Sequence, residues 1–211
     1  MAGQHIPRLG LSQITGLIIG LESNLRRQSL PGVLLLAFTL VSACVSPLPA
    51  DVRELKRAAF EGNVRKVQAL LAAGVDPDGR SPATGVALAD AAAAHHREVV
   101  RILIAAGANP NIASDSGYTP LIAAASVGDE AIVAELATAG AELDAHSEGG
   151  WTALHIASRR GHGAVVKRLL DSGANPLVKD QDGSTPRDLA RCHGHADIAA
   201  VLAEAERRLS K

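Results

Sequence analysis

Aromatic side chains are nearly missing from this sequence: one Trp, one Tyr and two Phe make up 2% of its 211 residues. A core without them must be built from Ala, Leu, Val and Ile. That excludes aromatic-rich β-sandwiches and modules that stack nucleic-acid bases on Phe or Tyr. A surplus of one charge is missing too, with a net charge of −1 and no electrostatic footprint for DNA. Cysteine is scarce: Cys44 and Cys192 close at most one bridge, which excludes a disulfide scaffold and a paired-cysteine zinc module. What is present is 47% hydrophobic content, so stability must come from apolar packing.

That content is unevenly spread. Arg26 and Arg27 precede Pro31 and Gly32, and then comes an uncharged run from Val33 to Ala43, closed by Cys44 and by Pro47 and Pro49. The run is shorter than the ~20 residues a membrane-spanning helix takes. A basic region, a short apolar region and small residues at its end are the layout of a secretory signal. Val41-Ser42-Ala43-Cys44 resembles the lipobox of bacterial lipoproteins. The resemblance implies cleavage before Cys44, a diacylglycerol on its thiol, and Val45 at the position that leans towards the outer membrane. Two or more acyl chains anchor stably where one is marginal. Expected boundaries are therefore a signal segment at 1–43, a linker at 44–51 and a folded domain at 52–211. The alternative is ordinary cleavage after Ala43 or Ala50 and a soluble periplasmic protein. Residues 1–24 make the basic region unusually long, which leaves room for a downstream start. The segment 1–43 carries +2 and the remaining 168 residues −3.

Beyond it the chain repeats. Gly74, Gly107, Gly140 and Gly173 are spaced by 33, and the same period governs Gly62, His95, Gly128, Gly161 and Gly194. A third series, Thr119-Pro120, Thr152-Ala153 and Thr185-Pro186, keeps it as well. Each Thr hydroxyl can cap a helix, with Pro at the first helical position where its missing N–H is not needed. Asn63 and Asp129 can cap a second helix. That helix is apolar on one face, at Val99, Val100 and Leu103, at Ile132, Val133 and Leu136, and at Val165, Val166 and Leu169. A glycine in the left-handed region then stops it.

TPLIAA at 119–124, TALHIA at 152–157 and TPRDLA at 185–190 resemble the signature of ankyrin repeats, a 33-residue unit of a β-turn and two helices. The resemblance implies an all-α ankyrin repeat solenoid of about five repeats, at 48–80, 81–113, 114–146, 147–179 and 180–211. The first and last read as polar caps, with Glu54, Lys56 and Arg57 on the first helix. Repeat 2 carries SPATGVALADAA in place of the signature, and its first helix is expected to start late or irregularly. Asp90 stands there at an apolar position, so an ion pair with Arg57, one repeat earlier, is expected.

No catalytic constellation is present: there is no H-E-x-x-H, G-x-S-x-G, Gly-Lys phosphate loop or C-x-x-C. No enzyme activity, cofactor or metal is expected. His162 and His195 are too far apart in stacked repeats to share an ion. The family resemblance implies instead a monomeric module that binds a protein partner, and no nucleic acid, through turn tips and the exposed face of each first helix. On this sequence the tips are Asp115, Ser116 and Tyr118; Glu148, Gly149 and Trp151; and Gln181, Asp182 and Ser184. His146 and Lys179 close their units, and Ser126, Val127, Arg159, Arg160, Cys192 and His193 fall on the helix face. Tyr118, Trp151, Arg159, Arg160, His146 and Lys179 are the candidate binding residues, since Trp, Tyr and Arg are enriched in hot spots. Cys44 is the candidate lipidation site. The alternatives are a redox or metal-related envelope role using Cys192 and nearby histidines, and a cytoplasmic or host-directed protein.

Overall fold

A computed structural model describes residues 49–80 and 85–209. The expected signal segment at 1–43, the lipidation candidate Cys44 and the opening SPAT of repeat 2 lie outside the described residues.

Ten helices pair off among the described residues: α1 (Pro49–Phe60) with α2 (Val64–Ala72), α3 (Ala87–Ala93) with α4 (Arg97–Ala105), α5 (Pro120–Val127) with α6 (Glu130–Thr138), α7 (Ala153–Arg160) with α8 (Gly163–Asp171), and α9 (Pro186–Cys192) with α10 (Ala196–Leu209). The first helix begins at Pro49, inside the stretch expected as a linker. The odd-numbered helices stack on one another to form an inner layer, and the even-numbered helices form an outer layer. Each repeat thus touches only its neighbours, as a solenoid requires.

Small residues make the inner layer thin. Ala91 and Ala92, Ala124 and Ala125, and Ala157 and Ser158 are buried at equivalent positions, and Leu55, Leu88, Leu121 and Leu154 fill the gaps in the first four repeats. The outer helices contribute the predicted triplets, with Ile198, Ala199 and Leu202 in the last repeat. Thr119, Thr152 and Thr185 accept hydrogen bonds from the amides of Ile122, His155 and Asp188 at 3.2, 3.4 and 3.3 Å. Asn63 and Asp129 cap α2 and α6. Helix α3 starts at Ala87, in register with Pro120, Ala153 and Pro186, so the expected late start does not occur. It lacks a side-chain cap because Val86 stands where the others have Thr.

Two expectations at the first interface are corrected. Asp90 pairs with Lys56, 3.6 Å away, and not with Arg57, which bonds Glu61, just past the end of its own helix, at 2.9 Å. Lys56 also leaves the polar end face to which it was assigned: it is buried, and its ammonium donates to the Gly85 carbonyl at 3.0 Å. The reason is a one-residue offset. Position 56 points towards the following repeat, where Lys56 meets the Gly85 carbonyl and Asp90, whereas the exposed Arg57 turns to Glu61.

The connectors after the outer helices are joined side by side. Asp78 accepts from the Asn109 amide at 2.9 Å, Asn111 from the Glu142 amide at 2.8 Å, and Asp144 from the Asn175 amide at 3.0 Å. The next residue in this series is Leu177, half exposed. Helix α10 runs on past Glu206, the position one period beyond Gly173, so no fifth connector forms.

Candidate functional site

The tips are hairpin turns closed in the same way three times. The amides of Ser114, Ser147 and Asp180 donate to the carbonyls of Tyr118, Trp151 and Ser184 at 2.9, 3.1 and 3.0 Å. Successive tips are also tied together, Glu148 N–H to the Ser116 carbonyl and Gln181 N–H to the Gly149 carbonyl. Gly117, at φ +77°, lies so close to the next tip that a Cβ would stand 2.8 Å from the Ser147 Cα. Side chains on these tips are therefore held on a stiff frame.

Trp151 precedes the Thr152 cap and rests partly on the core, while Arg159 leaves the last turn of the same inner helix, α7. The Arg159 guanidinium lies 4.6 Å from the centroid of the indole ring. Such a cation–π contact contributes about 0.5–1 kcal/mol at an exposed site, and it fixes the orientation of both groups. Arg160 remains exposed, and one of its nitrogens donates to the Ser126 carbonyl at 2.6 Å, reaching back one repeat. Tyr118 is 40% exposed at the equivalent tip. Its own repeat has Ser126 where Arg159 stands in the next.

The remaining candidates are less connected. His146 is exposed, with Nδ1 3.2 Å from the Ser147 carbonyl in the bridge that pairs residues 146 and 152. Lys179 is exposed at the end of its unit. Cys192 is a free, exposed thiol, and the His193 Nδ1 is engaged by the Leu189 carbonyl at 2.9 Å. Among the described residues no three His, Cys, Asp or Glu side chains gather as a metal site would need.

A family model described as ankyrin repeats (3 copies) matches residues 55–147 and 128–210. The chain belongs to the ankyrin-repeat family. No curated protein matches it. Ankyrin repeats are typically non-enzymatic modules that bind other proteins.

On the tips and inner helices of this ankyrin array Arg159, Arg160 and Lys179 meet no carboxylate among the described residues. By contrast, Arg97 and Arg168 on the outer helices meet Glu135 at 2.7 Å and Glu130 at 2.6 Å.

Sequence reasoning missed two polar rows that join ankyrin repeat to ankyrin repeat. In one, Lys56 and His155 occupy the same position of their repeats and each donates to a carbonyl 29 residues on, Gly85 at 3.0 Å and Ser184 at 3.2 Å. The buried His155 accepts at Nδ1 from the Thr152 amide and donates from Nε2, so it is held as the neutral tautomer. Burial pushes its pKa down, against the Ser184 carbonyl and Asp180, which pull the other way. In the second row Nε2 of His96, His162 and His195 donates to the carbonyls of Phe60, Ser126 and Arg159, 36 residues earlier. Repeat 3 breaks this row: Asp129 replaces the histidine, and His95 of repeat 2 reaches it at 3.0 Å. The recurring Gly-His pairs were the available signal.

Proposed function

We propose that the protein is a lipid-anchored ankyrin-repeat protein of the cell envelope that presents its tip and inner-helix face to a protein partner. Cys44 carries the anchor, and the mature chain stands on the periplasmic side of the outer membrane as a monomer. Tyr118, Trp151, Arg159 and Arg160 form the centre of the contact, with His146 and Lys179 at its edge. The observation that supports the binding face is the Arg159–Trp151 pair, a cation over a half-buried ring that meets no carboxylate among the described residues. Side chains already ordered in the free protein lose little entropy on binding.

The anchor confines this face to one membrane surface, where effective concentration replaces affinity. A redox or metal role centred on Cys192 draws no support from the exposed thiol and the engaged His193.

Two measurements test the proposal. Wild type should incorporate labelled fatty acid and fractionate with the outer membrane, and Cys44→Ala should do neither. A wild type that takes up no label and fractionates as soluble removes the anchor, and retention in the cytoplasm removes export altogether. A photo-crosslinker at position 118 should capture a discrete envelope protein in a manner lost with Trp151→Ala.

A further inference from the structure

The last turns of the inner helices form a row along the array: Phe60 and Glu61, Ala93 and Ala94, Ser126 and Val127, Arg159 and Arg160, Cys192 and His193. The first three pairs hold one charge, Glu61, which Arg57 already neutralises. The fourth holds two cations and no acid, and helix α7 carries no carboxylate anywhere. Positive charge is therefore concentrated towards the last two repeats, where the last turn of α9 adds the exposed Arg191.

We propose that this place binds an acidic, extended segment of the partner protein, a refinement that rests on the protein-binding role proposed above. Arg159 is pre-set for it. Its guanidinium is held 4.6 Å from the centroid of the Trp151 ring, and a planar donor fork suits a carboxylate better than a point charge does. Arg160 spends one nitrogen on the Ser126 carbonyl and keeps its others for a ligand. The exposed acids of the tips are Asp115, Glu148 and Asp182. They require a segment whose carboxylates point to the helix side and whose opposite edge is neutral or basic. A nucleic acid, uniformly charged along its length, would carry phosphates against those tip acids.

A random dodecapeptide library displayed on phage, selected on the full-length chain in detergent, provides the test. Selected peptides should carry Asp or Glu at two or more positions. Their affinity should fall about tenfold or more for R159Q/R160Q, and the Asn/Gln versions of the same peptides should lose binding equally. Both arginines are exposed, so the far-UV circular dichroism of that variant should stay unchanged, and the lost ring contact and Ser126 bond should lower its melting temperature by only a few degrees. Peptides without acidic enrichment, or a single-stranded oligonucleotide bound more tightly than the peptides, overturn the proposal. Peptides that lose binding with Trp151→Ala yet ignore R159Q/R160Q overturn the acidic partner and leave the interaction face standing. Peptides indifferent to both changes remove the two together.

Discussion

His95 tests whether the glycine before each outer helix serves its own backbone or its neighbour's ring. A Cβ at Gly62, Gly128 or Gly161 would stand 2.6, 2.7 or 2.6 Å from the imidazole of His96, His162 or His195 in the next repeat. At position 95 a Cβ is present, at φ +61°, because the following repeat supplies the shorter Asp129 in place of a ring. Asp129→His should restore the ring and drive it into His95. The lost cap on α6 costs about 1 kcal/mol, and the overpacking about 1–3 kcal/mol, so the variant should lose about 2–4 kcal/mol. His95→Gly gives up an exposed pair but relieves a left-handed non-glycine residue, and its net effect should lie near zero. In the double variant only the missing cap should remain, a deficit of about 1 kcal/mol. The cycle should therefore show a coupling of about 1–3 kcal/mol in favour of the double variant. Urea unfolding of the four proteins, followed by far-UV circular dichroism and by Trp151 fluorescence, measures it. A coupling below about 0.5 kcal/mol would refute the steric account.

Two further outcomes are expected. Lys56→Met keeps the apolar stem but strands the Gly85 carbonyl and the half-buried Asp90, whose pKa burial already raises, and should cost about 2–3 kcal/mol; Arg57→Ala should cost under about 0.5 kcal/mol, and similar losses for the two by urea unfolding would contradict the offset at the first interface. Because the His155 pKa is depressed in the fold, its contribution is complete above the unfolded value of about 6.5 and drains away as pH falls through the folded one. Melting temperature should then fall more steeply from pH 7.5 to 5 in wild type than in His155→Gln, and parallel curves would remove the assignment.

The period, the caps and the outer-helix triplets were legible because each depends on residues close together in sequence. Thr119 and Ile122 are three apart, and Gly107 stops the helix just before it. Lys56 was misassigned because what decides its direction is the stacking of α1 on α3, which moves the contact from position 57 to 56. The exchange of His95 and Asp129 was illegible for the same reason: both residues look like lapses from the period until the ring of one repeat is placed over the backbone of the previous one. At the candidate site the positions of Trp151 and Arg159 were readable from the unit. Their stacking depends on where the last turn of α7 passes the tip, which no local pattern records.

The row of connector acids that stops at Leu177 bears on how such a chain can grow. Tandem duplication of an internal unit delivers an acceptor such as Asn111 or Asp144 together with the amide of the next connector, so a copy inserted in the middle is joined on both sides. A unit copied after Leu209 meets neither partner, since Leu177 accepts nothing and Glu206 carries the helix through the position where a glycine would end it. Lengthening at that end takes two simultaneous changes, Leu177→Asp and Glu206→Gly. Insertion within the row thus keeps both partners, and insertion beside Leu177 does not.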